Sequence, residues 1–207
     1  MKQVLPITQR FSCALPPLGL LALAPTIALY TLCRADILNI SPSLLGLILI
    51  LGGATQVSAG LNARQKGNHP GSATLIPLGL FWLSLLGFYV FPALGLGTRP
   101  SAVAMTSYLT MWGMFAAILY LGSFRQSRVI QVLFSTLMVC LLSLGMAEIR
   151  DNTVFFYCSA IAGTGCGLTA LYAGVAQVLN QRMQRTIMPL GGWQGSLDGD
   201  YDEQVSS

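Results

Sequence analysis

The charged residues of this 207-residue chain leave six intervals without an Asp, Glu, Lys or Arg: 11–33, 37–63, 67–98, 100–124, 129–147 and 152–181. A helix needs about 20 apolar residues to cross a hydrocarbon layer about 30 Å thick, so six spans fit and a seventh has no room. Only 9% of the residues are charged and 54% are hydrophobic, whereas a soluble domain carries about 25% charged residues. The runs are continuously apolar instead of alternating, which argues against a β-barrel. The expected fold is all-α: a polytopic membrane protein of six transmembrane helices in a bundle, with the lipid bilayer as its solvent.

The same charges orient the bundle. Lys2, Arg10, Arg64, Lys66, Arg125, Arg128, Arg182 and Arg185 fall on one side, and Arg34, Arg99 and Arg150 on the other. Lys and Arg concentrate on the cytoplasmic side of membrane proteins, so both termini are expected in the cytoplasm. The net charge of +4 is scattered between spans, not gathered on one face, so nucleic acid is not an expected partner. Lys2 and Arg10 precede an apolar run as in a secretory signal, but that run continues to Cys33 and is long enough to remain as the first span. Short loops and the lack of an organellar presequence fit a bacterial inner membrane. The chain divides into a cytoplasmic arm (1–13), a transmembrane domain (14–191) and an acidic tail (192–207). The tail sets Asp198, Asp200, Asp202 and Glu203 among Gly and Ser with nothing apolar enough to fold it, and is expected to be disordered.

The stretch from Gly52 to Gly79 organises the rest. Gly52, Gly53, Gln56, Ser58 and Gly60 bring small and polar residues into an apolar helix, and the residues from Arg64 to Gly71 form a turn. We read this stretch as half of a pore wall and its cytoplasmic hinge. Helix one opens at Pro16-Pro17, because the amide hydrogen proline lacks would have no partner at a helix start. Helices two to six are expected over 43–63, 72–91, 102–121, 129–146 and 154–179. Gln56, an amide near mid-span, must find a partner or water, so it lines a pore or bonds a neighbouring helix. Thr26 lines the pore or bonds back to its own helix; Thr136, with Ser135, is the polar pair of helix five. Pro77 kinks helix three or frees a carbonyl, which lipid tolerates only where protein or a water-filled cavity satisfies it. Tyr108, Trp112 and Phe115 form one stripe on helix four. Ser159, Gly163, Gly167, Ala170 and Gly174 form a small-residue face on helix six suited to close packing, with the partner helix left open.

Chemistry is scarce. No interval holds the ionisable relay that pumps keep in the membrane. His69 is the single histidine and lies in a loop. Cys13, Cys33, Cys140, Cys158 and Cys166 show no CxxC spacing and read as small packing residues. No metal site and no cofactor is expected. Spanning Ser and Thr residues have no base at helical spacing, so an enzyme is not expected either. A bundle with neutral hydrogen-bonding groups suits a small polar solute on a narrow, mostly apolar route.

The residues then resemble a family, the succinate–acetate permeases or YaaH-like acetate uptake transporters. The resemblance runs from about Ala14 to Gly191. It includes Pro17-Leu18-Gly19-Leu20, Gly52-Gly53 with Gln56 and Gly60, Lys66-Gly67-Asn68 with Gly71, Phe81-Trp82-Leu83, Trp112-Gly113 with Phe115, Tyr172 with Val178-Leu179-Asn180, and Arg185-Thr186 leading to Pro189-Leu190-Gly191. It implies six helices per protomer, a homohexamer, a separate pore through each protomer, and passage of acetate and related short carboxylates, succinate among them. The family motif Asn-Pro-x-Pro-Leu-Gly-Leu reads Ala14-Leu15-Pro16-Pro17-Leu18-Gly19-Leu20 here. The family's apolar constriction of Phe, Tyr and Leu falls on Leu23, Leu78 and Leu137, so only the last position agrees. Two leucines in place of rings widen the constriction and leave an aliphatic gate that excludes water. The Glu that the family often carries at the positions of Ala63 and Gln177 is absent, which removes those carboxylates from any proton-linked step.

The expected function is a transporter or channel for acetate and related short carboxylates, with Leu23, Leu78, Leu137, Gln56, Thr26 and Thr136 along the substrate pathway and protons as a candidate coupling ion. The alternative is a channel for a small neutral solute such as urea, an amide or ammonia; a third reading is a membrane assembly or sensor protein with a closed pore.

Overall fold

The computed structural model describes residues 15–150 and 152–191; the arm 1–13 and the tail 192–207 of the sequence reading lie outside the described residues. Six helices follow in order: α1 (Pro17–Arg34), α2 (Pro42–Gln65), α3 (His69–Ala93), α4 (Ala102–Gly122), α5 (Arg128–Arg150) and α6 (Thr153–Met183). All six are long and apolar enough to cross a membrane, and the described residues contain no strand. The starts are chemically marked. Ser41, Asn68, Ser101 and Asn152 accept hydrogen bonds from the amides of Leu44, Gly71, Ala104 and Val154, which satisfies donors that a first helical turn leaves unpaired.

The expected turn from Arg64 to Gly71 is shorter than its composition suggests. α2 continues to Gln65 and α3 begins at His69, with Pro70 in its first turn. Gly67 makes the reversal at φ +76°, a conformation that costs a residue without Cβ little, and Asn68 caps α3 directly after it.

Helix α1 packs against both α2 and α6; α2 packs on α3, α6 on α5, and α5 on α4. Side chains close the remaining gap between α3 and α4. Phe81 lies 5.8 Å from Tyr108 and 5.3 Å from Trp112, and Phe88 lies 4.9 Å from Tyr108, between ring centroids. The Tyr108 hydroxyl also donates to the Phe81 carbonyl at 3.1 Å. The stripe on α4 is therefore a helix contact, and the six helices form a closed ring.

The small-residue face of α6 meets α1 of the same chain. A Cβ on Gly163 would collide with Thr31 Oγ1, and one on Gly167 would lie 2.7 Å from the Ala24 carbonyl oxygen. The α2–α3 seam is equally close, with Gly79 against the Gly53 carbonyl. Close backbone approach of this kind is how helices gain packing in a solvent as apolar as they are. Because the helices alternate in direction, Arg34, Arg99 and Arg150 gather at one end of the bundle and Arg64, Lys66, Arg128 and Arg182 at the other, as the sequence reading expects.

Gly167→Ala is expected to destabilise the bundle by about 1–3 kcal/mol, the usual cost of overpacking, because the atom it meets is backbone. Gly165→Ala, which meets nothing within 4 Å, should leave the melting temperature of the detergent-purified protein unchanged. Equal melting temperatures for the two variants would contradict this packing.

Candidate solute pathway

Each end of α1 opens onto a cavity. At its start, a cavity of about 340 Å³ is bounded by Pro17 and Leu18, by Ala63 and Lys66 from the end of α2, and by Gln177 and Gln181 from α6. At its other end, a cavity of about 370 Å³ is bounded by Arg34 and Asp36, by Glu148 near the end of α5, and by Thr153 and Phe156 at the start of α6. With 18 residues, α1 is about 27 Å long, so the two cavities lie about one helix length apart.

Between the mouths the interior is apolar. Leu23, Leu78 and Leu137 are 1%, 3% and 1% exposed and belong to one continuous core with Leu20, Ile27 and Phe134. All three expected constriction residues are thus buried within one hydrophobic core cluster.

Six side chains with unpartnered buried donors among the described residues, Trp112 and Thr164 and the four that follow, stand out against that background, because a polar group without a partner in an apolar interior is costly. Among the described residues, neither amide atom of Gln56 has a hydrogen-bond partner, nor do Gln177 Nε2, Trp82 Nε1 and Arg34 Nε. Gln56 is wholly buried. Arg34 ends α1 beside one cavity, Trp82 lies midway along α3, Gln56 lies in the second half of α2, and Gln177 borders the other cavity.

The two threonines differ from Gln56. Thr26 donates to the Ala22 carbonyl at 2.8 Å and packs against Gly52 at the α1–α2 contact. Thr136 donates to Val132 at 2.8 Å and Leu133 at 3.0 Å. Both spend their hydrogens within their own helices. The motif residues are structural in position: Pro17 opens α1, Gly19 admits Leu75, Leu20 is fully buried, and Leu18 is exposed beside the first cavity.

Two features escape a reading of the sequence. One is the ion pair of Arg34 with Glu148. The other is a strap after α6: the chain turns at Gln184 with φ 52° and folds back over the start of α5. Asn180 holds it, accepting from the Ile187 and Met188 amides at 2.8 and 3.0 Å and donating to the Met188 carbonyl at 2.9 Å. Tyr172 donates to the Pro189 carbonyl at 2.8 Å, and the Arg128 amide donates to the Gly191 carbonyl at 2.9 Å. The clustering of Tyr172, Asn180 and Pro189-Leu190-Gly191 in the resemblance was the available signal.

Comparison with known proteins agrees with this architecture. Residues 3–190 match the GPR1/FUN34/yaaH family. The chain is 32% identical to the succinate-acetate/proton symporter SatP of Escherichia coli strain K12, over 84% of this chain and 93% of that one. It is 34% identical to an uncharacterized protein of Methanothermobacter thermautotrophicus strain Delta H, over 84% and 88% of the two chains. Among solved structures it resembles the bacterial acetate channel SatP, with a TM-score of 0.81 and 32% identity over 84% of this chain and 97% of that one.

Asn180→Ala removes all three side-chain bonds to the strap and should release it, so trypsin should cleave after Arg185 several-fold faster than in the parent protein. Asn180→Asp, which retains the acceptor, should fall between. Unchanged cleavage would mean that the strap is held elsewhere.

Proposed function

The chain belongs to the GPR1/FUN34/yaaH family, and from that premise we propose that it carries acetate and related short carboxylates, succinate among them, across the membrane. What supports the reading most is the set of unpartnered buried donors, Gln56 and Gln177 among them, in a bundle whose core buries Leu23, Leu78 and Leu137. A carboxylate needs donors, and these have none of their own to serve.

Acetate titrates much as a carboxyl side chain does, near about pH 4.3, so the anion predominates at neutral pH. A charge in mid-membrane is costly, and the buried route between the mouths offers neutral donors in place of a cation. The anion is therefore held weakly by Gln177 and Gln56 and passes Leu23, Leu78 and Leu137 in a channel-like step, the leucines gating by excluding water. Thr26 and Thr136 border this route as acceptors and helix contacts. In this reading both termini face the cytoplasm of a bacterial inner membrane, the protomers assemble as a homohexamer with one route each, and the protein does no covalent chemistry. The relatives' names offer both a proton symporter and a channel; the channel form fits a route whose buried donors are amides and an indole.

The test is uptake of labelled acetate into proteoliposomes at pH 6, with and without an imposed pH gradient, with labelled urea alongside. Acetate uptake above empty liposomes and insensitive to the gradient is expected. Gradient-dependent uptake would replace the channel by proton-linked transport, and urea uptake without acetate would overturn the carboxylate reading. Gln56→Leu should cut acetate flux between about two- and tenfold, the worth of one neutral hydrogen bond, without lowering the melting temperature, because the amide it removes bonds nothing in the protein. Leu137→Phe should slow flux by narrowing the route; unchanged uptake would remove Leu137 from the constriction.

A further inference from the structure

The mouth at the end of α1 contains chemistry that the route through the leucines does not use. Arg34 Nη2 donates to Glu148 Oε1, joining the last turn of α1 to the last turn of α5. The guanidinium lies over the Phe156 ring, 5.3 Å from its centroid. A guanidinium carries five N–H donors in a planar fork that matches a carboxylate. One of these is committed to Glu148, and Nε has no partner among the described residues. The Arg34 side chain is 30% exposed, so its head borders the mostly polar cavity of about 370 Å³. The start of α6 faces the same space at Thr153, and the amide end of a helix favours an anion.

Two features of its surroundings disfavour the Glu148 carboxylate. It sits in the final turn of α5, where the carbonyl end of the helix disfavours negative charge, and Asp36 borders the same cavity. Arg34 is what offsets this. A substrate carboxylate entering the cavity presents the same group to the same fork.

We propose that Arg34 is the capture site for substrate carboxylate at this mouth, and that Glu148 is an internal carboxylate that occupies the fork until substrate exchanges with it. The exchange swaps one carboxylate for another, so the cation stays paired throughout, and Phe156 holds the guanidinium in place by its cation–π contact while the partners change. The cavity is ample for acetate and for a four-carbon dicarboxylate. The proposal rests on the carboxylate-transport reading above.

The experiment compares the concentration dependence of acetate uptake by the parent protein, Glu148→Gln and Arg34→Gln. If Glu148 competes with substrate, Glu148→Gln lowers KM by about threefold or more, while Arg34→Gln raises it about tenfold, as loss of a charge-assisted hydrogen bond would. If both substitutions raise KM alike, the pair is only a clamp between α1 and α5 and the proposal fails. A second measurement leaves the pair intact. Cys33 borders the cavity and is half-buried, Cys140 and Cys166 are buried, and Cys158 is exposed. In a Cys13→Ser, Cys158→Ser protein, acetate should slow modification of Cys33 by an impermeant thiol reagent. No protection by acetate, or equal protection by chloride, would overturn the proposal. Uptake by the parent protein judges the transport reading separately: failure there with protection intact removes the reading and leaves a carboxylate site, whereas uptake without protection removes the site alone.

Discussion

Inside a bundle without solvent, every polar group needs a partner within the protein or along a wet route, and this requirement shapes the molecule at each level. The helices satisfy their own backbones, and four side-chain caps satisfy amides at helix starts. Ser and Thr side chains such as Thr26, Thr31 and Thr136 bond back to carbonyls of their own helices. Against that pairing, the unpartnered amide of Gln56 and the unpartnered donors of Trp82, Trp112, Thr164, Gln177 and Arg34 stand as exceptions among the described residues, and we read Gln56 and Gln177 among them as capacity left for a solute.

Two kinds of packing hold that capacity in place. The seams of α1 with α6, and of α2 with α3, are made by glycines whose missing side chains let backbone meet backbone. The seam of α3 with α4 is wide and filled by rings, which gain dispersion over large faces and keep two helices apart while closing the ring between them. A gap filled by rigid side chains and seams closed by glycine together fix an apolar interior that includes Leu23, Leu78 and Leu137. Motif residues acquire reasons from this. Gly67 turns the chain and Asn68 caps α3; Asn180 and Tyr172 bind the strap that covers the start of α5.

The spans were legible because a charge in hydrocarbon is costly enough to be nearly absent, so the spacing of charges outlines the helices. Their ends were less so. His69-Pro70 reads as a turn by composition, yet proline in a first turn is compatible with a helix, and Asn68 makes it one. Thr26 and Gln56 were both open as pore-lining candidates, Thr26 against a bond back to its own helix and Gln56 against a bond to a neighbouring one. They differ because a threonine can reach the carbonyl four residues back, as Thr26 reaches Ala22, and a glutamine amide here does not. The partner of Arg34 could not be read at all. Glu148 lies 114 residues away, and only the packing of α6 against both α1 and α5 brings the two helix ends to one cavity.

Whether the unpartnered donors belong to a wet route interrupted by the leucines is tested most directly by a high-resolution structure of the protein in acetate. Water or acetate oxygens should then lie at hydrogen-bonding distance from Gln56 and Gln177, with a dry layer at Leu23, Leu78 and Leu137. A Gln56 amide fully bonded to protein atoms, with no solvent near it, would contradict such a route.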